Sequence, residues 1–263
     1  MLFTLMYHDV VRPNKFDESG FPGNASASYK LTIDQFEEHI KILKNKVMEP
    51  PILIKNSSDV HKSRLVLSFD DGGISAFDNI LLRLDKLNWK AHFFITTDQI
   101  GKKGFLNRNQ IRMIRKSGHM IGSHSCSHPD MTSLGRKFIY SEWRTSIQIL
   151  SEIINEPVNT AAVPNGKYNR LVAKVAEEAG ICFLFTSYPY LKVKYVGKCA
   201  VIGRYGVKDS SSLNTILKLA RGDKRTWTLQ KIIWDLKKLI QKLFGNQYIL
   251  IRKFYFKIKK IDK

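Results

Sequence analysis

Two acidic residues, Asp70 and Asp71, stand side by side at the end of an apolar run in LVLSFDDGG. Burying neighbouring like charges is costly unless something offsets them. Two histidines, His124 and His128, recur four residues apart in GSHSCSHPD. That spacing brings two imidazoles together on one helical turn and suits two ligands of a single metal ion. A carboxylate with two histidines leaves coordination positions open, the pattern of a catalytic rather than a structural site. A divalent cation would offset the paired aspartates. One aspartate would bind it, and the other would stay off it and accept a proton from water activated there. Spacing alone does not say which aspartate does which. For the dipeptide taken by itself, the competing reading is a solvated turn with Asp70 as a helix cap.

These residues need a scaffold that gathers them at one rim. MLFTLMYHDVV, RLVLSF, KAHFFIT, HMIGSH, NTAAVP and ICFLFTS read as strands. TIDQFEEHIKILKN, ISAFDNILLRLDKLN, NRNQIRMIRKSG, residues 136–153 and NRLVAKVAEEAG read as the helices between them. Thr32 stands three before Gln35, a capping-box spacing. Strands alternating with helices imply a parallel sheet or barrel, in which ligands meet the C-terminal strand ends. Asp70, Asp71, Ser123, His124 and Pro164 all fall at such ends.

The chain has 263 residues, 43% hydrophobic and 25% charged, which suits a globular α/β domain with an extension and excludes a disordered chain. Its net charge of +20 favours an anionic neighbour. The odd set of three cysteines, Cys126, Cys182 and Cys199, has no regular spacing and argues for a reducing compartment. The start reads as a strand rather than a signal peptide, and no run of apolar residues is long enough to span a membrane. A cytoplasmic location, or the cytoplasmic face of a membrane, is therefore expected. From residue 223 the composition shifts, with twelve Lys and Arg against three Asp through 263. We divide the chain into a domain, 1–222, and a basic amphipathic extension, 223–263. In the extension Ile232, Ile233, Leu236, Leu239, Ile240 and Leu243 form a helical stripe opposite Lys231, Lys238 and Lys242, interleaved with aromatic residues. Its expected partner is an anionic membrane surface. The competing reading is a helix packed on the domain or on a protein. No nucleic-acid-binding motif accompanies the charge, so nucleic acid is not an expected partner.

At the site residues the sequence resembles the polysaccharide deacetylases, the NodB-homology carbohydrate esterases. SFDDG is similar to the family's first motif and HSCSH to its second. MYHDV, SGHMIGSH, VPNGKYN and VAKVAEEAGICFLFTS extend the likeness over about residues 1–205. The likeness is nearest to the exopolysaccharide-type branch with an early YH motif. It implies an α/β fold, a distorted and incomplete (β/α) barrel. It also implies removal of acetyl groups from acetylated glycans, mostly N-acetylated sugars, with Zn2+ or a similar divalent metal. Carried over by motif, Asp70 is the catalytic base, and Asp71, His124 and His128 are the metal ligands.

The pattern is broken elsewhere. The family's third motif usually has an Arg, then Pro and Tyr, before a Gly. AAVPNGKYN keeps Pro164 and Gly166 but has Ala162 and Asn165 in the Arg and Tyr places. The Asn165 backbone N–H still suits an oxyanion donor, because that task needs no side chain. Arg204, in VIGRYGV, is the candidate to orient Asp70 instead. The family's late histidine is absent, since His128 is the last in the chain. Amide cleavage needs an acid to protonate the leaving amine. His8, just after the first strand, is the candidate, and the exopolysaccharide deacetylases this chain resembles carry an early histidine in that role. His119 is expected to be structural or to support a ligand from behind. His39 and His92 read as packing, and Cys126 is not expected to be a ligand. The expected function is metal-dependent removal of acetyl groups from an N-acetylated sugar of a glycan or its precursor. The alternative is a catalytically silent relative that binds carbohydrate or acts as a scaffold at the membrane surface.

Overall fold

The computed structural model describes residues 1–258, with side chains to Ile240 and at Leu243 and Phe244. In chain order the first half holds β1 (Leu2–Tyr7), β2 (Val10–Val11), α1 (Asn24–Ala27), β3 (Leu31–Thr32), α2 (Ile33–Lys46) and β4 (Arg64–Phe69). A π-helical stretch (Ala76–Leu81) runs into α3 (Leu82–Asp85), followed by β5 (His92–Ile95), α4 (Arg108–Lys116) and β6 (Met120–Ser123). The second half holds α5 (Arg136–Ile154), β7 (Thr160–Ala162), α6 (Arg170–Glu178) and β8 (Phe183–Phe185). It ends with β9 (Lys194–Val196), β10 (Cys199–Ile202), β11 (Tyr205–Gly206), α7 (Leu213–Ala220) and α8 (Lys224–Ile258). The expected capping box starts α2: Thr32 accepts from the Gln35 N–H and Gln35 reaches back to the Thr32 N–H.

Nine strands form one curled sheet in the order β11-β1-β4-β5-β6-β7-β8-β10-β9. All pairings are parallel except β9 with β10. Only Gly203 and Arg204 separate β10, near one end of the sheet, from β11 at the other. A chain that short spans at most about 10 Å, so the curl nearly brings the ends together. The result is the incomplete barrel expected from the sequence. The strands after β8, including the crossing that carries Arg204, were not anticipated, because runs of two to four residues bear little periodicity.

Alternation along the strands sorts side chains to two sides. Leu65, Leu67 and Phe69 of β4 join the large core beneath the helices. Val66 joins a smaller cluster with Phe94, Phe183, Phe185, Ala200 and Ile202 inside the barrel. Register then fixes the rim. Tyr7 pairs with Phe69, Ile95 with Ser123, and Ala162 with Phe185. His8, Asp70 and His124 follow directly at the C-terminal end, and Pro164 follows one residue further on.

Asp223 caps α8 by accepting from the Thr226 N–H. Trp227 in its first turn is only 2% exposed, and its indole N–H donates to the Leu219 carbonyl. Trp227, just past the compositional boundary at 222/223, thus packs into the buried core. No helix among the described residues is long and apolar enough to cross a membrane. The side chains of Lys242, Phe254, Tyr255 and Phe256, and all of residues 259–263, lie outside the described residues.

Candidate active site

Asp70 continues the inward parity of β4, and its N–H donates to the Tyr7 carbonyl. Its carboxylate meets Arg204, which donates from Nη1 to Oδ1 at 2.6 Å and from Nη2 to Oδ2 at 2.7 Å. Both groups are buried, Arg204 at 0% exposure and Asp70 at 4%. The guanidinium is held further by Ser68 Oγ and by the Thr186 carbonyl, which accepts from Nε. It sits 5.5 Å from the ring centre of Phe94 and 5.9 Å from that of Phe185. Burial works against the ionised Asp70 carboxyl. Arg204, and after it His124, outweigh burial and hold Asp70 below the usual carboxylate range. Nearby, burial pushes His92 down to about 3, with Arg204 adding to the effect, so His92 is a neutral core residue. Its Nε2 accepts from the Ile54 N–H.

Asp71 breaks the strand parity. Its φ of +76° swings its carboxylate away from Arg204 and toward the two histidines. Asp71 Oδ1 lies 3.3 Å from His124 Nε2 and 3.4 Å from His128 Nε2. Burial opposes its charge, but the two imidazoles more than offset this and hold the carboxyl well below its ordinary range. His124 donates from Nδ1 to the Ala162 carbonyl at 2.9 Å, which turns Nε2 to the site. One oxygen or ring nitrogen from each of the three residues can be chosen so that all lie within 4.8 Å of one another. An oxygen and two imidazole nitrogens converging this closely fit one divalent cation with open positions.

The histidine pair is not on a helical turn, contrary to expectation. The segment from His124 to Asp130 is a loop, and Ser125 and His128 both have positive φ. Non-glycine residues pay for that conformation, so something must hold it. Glu142 on α5 does so. Its carboxylate accepts from the Cys126 N–H, the Ser127 N–H and the Ser127 hydroxyl at 2.9, 2.8 and 2.6 Å. Ser125 Oγ accepts from the His128 N–H. Cys126 points elsewhere, donating to Asp98, and burial with nearby Asp98 and Glu142 pushes its thiol up to about 11. It is a protonated thiol.

A family model described as polysaccharide deacetylase matches residues 57–184, a span that contains Asp70, Asp71, His124 and His128. Over that span the chain is similar to the polysaccharide deacetylases. The Bacillus subtilis protein YxkH is 24% identical over 191 residues, covering 70% of this chain and 64% of its own length. The peptidoglycan-N-acetylglucosamine deacetylase PgdA of Listeria monocytogenes is 29% identical over 119 residues, covering 45% and 24%. The chain thus spans less than two thirds of the length of either relative. Among solved structures, the Streptococcus pyogenes deacetylase PplD in complex with acetate superposes with a TM-score of 0.68 at 18% identity, covering 82% of this chain and 96% of that one. That likeness is one of fold.

The remaining candidates are spread around the rim. His8 is half-buried, its ring 5.0 Å from that of Tyr29, and its Nδ1 is buried with no hydrogen-bond partner among the described residues. Asn165 is exposed with φ +56° in the turn Pro164–Gly166. A Cβ on Gly166 would lie 2.6 Å from Ser187 Cβ, so the turn packs too closely for any other residue. His119 lies at the opposite end of β6, accepting from the Ala91 N–H and paired with Asp85, apart from the residues gathered at the rim. His39 is packed beside Tyr7.

Besides Glu142, one supporting residue, Lys30, escaped the sequence reading. Lys30 is buried and donates to the carbonyls of Phe16, Ser19 and Phe21 at 2.6, 2.5 and 2.7 Å. It thereby fixes the loop whose Phe21 ring lies 4.7 Å from that of His128. A lone lysine and a lone glutamate in polar surroundings carry no sequence signal for such tasks.

The buried pair generates a stability prediction. Arg204→Met leaves the Asp70 charge unpaired and should cost about 3–5 kcal/mol. Adding Asp70→Asn to that variant should recover most of the loss in urea denaturation. Equal cost of Arg204→Met in both backgrounds would show that the two are not coupled.

Proposed function

We propose that this chain is a metal-dependent deacetylase of an N-acetylated sugar in a glycan or glycan precursor. The observation that carries the reading is the division of two adjacent aspartates between an arginine and a histidine pair. Asp71, His124 and His128 would hold the cation, Zn2+ or a similar divalent ion. When bound, the cation would supply Lewis acidity to the water and to the acetyl carbonyl, so that a weak base suffices. Asp70 is assigned the role of base. Arg204 occupies one lone pair on each of its oxygens, and a carboxylate has about four acceptor sites. A free lone pair therefore remains to take the water proton, in a carboxylate whose orientation is fixed. Arg204 supplies the orientation that the family's third-motif arginine would otherwise provide.

The backbone N–H of Asn165 is assigned to the oxyanion that forms as water adds to the acetyl carbon. His8 is assigned to the leaving amine. Its half-buried ring stands at the end of the strand beside Asp70, and among the described residues its Nδ1 has no hydrogen-bond partner. PgdA, the Listeria relative, is named for the removal of acetyl groups from N-acetylglucosamine, and a substrate of this class is what we propose here.

Two substitutions test these roles through acetate release. Asp70→Asn should keep the bound metal, measured by elemental analysis, and lose about 100- to 10,000-fold in turnover. Wild-type turnover in that variant would remove Asp70 from the mechanism. His8→Ala should slow cleavage of an acetamide by a similar factor and leave an aryl acetate ester nearly untouched, because a phenolate departs without a proton. Equal losses on both substrates would assign His8 a structural role.

A further inference from the structure

Helix α8 presents two unlike sides. One side is tied to the barrel. Trp227 is buried in the core, Tyr188 donates to Asp235, and the Trp234 ring lies in van der Waals range of where a Cβ on Gly166 would stand. Lys231 and Lys238 lie over the Tyr188 ring. The opposite side carries Leu229, Ile232, Leu236, Leu239, Ile240 and Leu243, each between 41% and 68% exposed. At about 100° per residue these six form one continuous stripe facing away from the barrel. Water-facing leucine and isoleucine in such a row mark an interaction surface.

The charges select the occupant. Residues 224–258 hold nine Lys and Arg against one Asp, and the whole chain carries +20. A second copy would set two strongly basic helices side by side and repel. Nucleic acid gives an apolar stripe nothing to bury against. A stripe of leucine and isoleucine with lysines on the polar side matches the cross-section of an anionic bilayer surface, with acyl chains below and phosphates above.

We propose that the outward face of α8 docks on an anionic lipid bilayer, with the barrel held on the water side by Trp227, Trp234 and Tyr188. Through Trp234 and Gly166 the docked helix would place the Asn165 turn about one helix diameter, ~10 Å, from the lipid surface. A glycan carried on a lipid would be presented there. That last orientation rests on the deacetylase reading, whereas the docking does not.

Flotation of the full chain with vesicles tests the docking. Phosphatidylcholine–phosphatidylglycerol vesicles should carry the protein, and phosphatidylcholine alone should carry at least about tenfold less. High salt should reduce the bound fraction. Leu236→Glu with Leu239→Glu should lower binding at least about tenfold. The milder Leu236→Ala/Leu239→Ala pair, which keeps helix propensity, should lower it in the same direction. Both pairs should leave acetate release from a short soluble sugar unchanged, which separates this proposal from the catalytic one. Three results would overturn the docking: no flotation of the wild type, equal flotation of the variants, or equal binding to neutral vesicles. A dimer in solution that the same substitutions dissolve would also overturn it, by assigning the stripe to a second copy.

Discussion

A carboxylate buried at a strand end must find a counter-charge, and in this fold Asp70 finds Arg204. The pair joins the fourth strand to a two-residue crossing some 130 residues later, at the place where the curled sheet nearly meets itself. Desolvating two charges costs several kcal/mol per ion unless hydrogen bonds satisfy both. Here Ser68 and Thr186 satisfy the rest of the guanidinium, and Phe94 and Phe185 flank it. Burial holds His92 neutral, and the same arginine adds to the effect. With Asp70 neutralised, the neighbouring Asp71 is free to turn the other way, and its positive φ takes it to the two imidazoles. One interaction thus separates two adjacent like charges into two environments.

The second environment depends on strained backbone. Asp71, Ser125 and His128 all adopt the left-handed conformation, which costs of order 1–3 kcal/mol each for a side chain with no local compensation. The surroundings hold them there. Glu142 binds the loop from the α5 side through three hydrogen bonds, and Lys30 fixes the facing loop through three more. Neither residue touches the converging ligand atoms. Both act on the backbone that carries or flanks them.

Much of the fold was legible because it rests on long periodic segments. The apolar runs RLVLSF and KAHFFIT, the capping box at Thr32 and the helix at 136–154 are each specified within a few residues of chain. The placement of Asp70, Asp71 and His124 at strand ends followed from the same reasoning. Three features were not legible, for physical reasons. The loop form of the His124–His128 segment depends on Glu142, a tertiary partner that spacing cannot reveal. The short strands β9 to β11 are held by neighbours rather than by their own pattern. The composition of the C-terminal helix showed its two faces but not that Trp227 would anchor its first turn in the core.

The account rests on one claim, that the cluster of Asp71, His124 and His128 holds a cation on which deacetylation depends. Acetate release from N-acetylglucosamine oligomers, measured on the full chain before chelation, after chelation and dialysis, and after zinc is restored, tests it most directly. The account predicts loss of at least about 100-fold on chelation, recovery with zinc, and no recovery in His124→Ala. Undiminished acetate release from metal-stripped protein would contradict it.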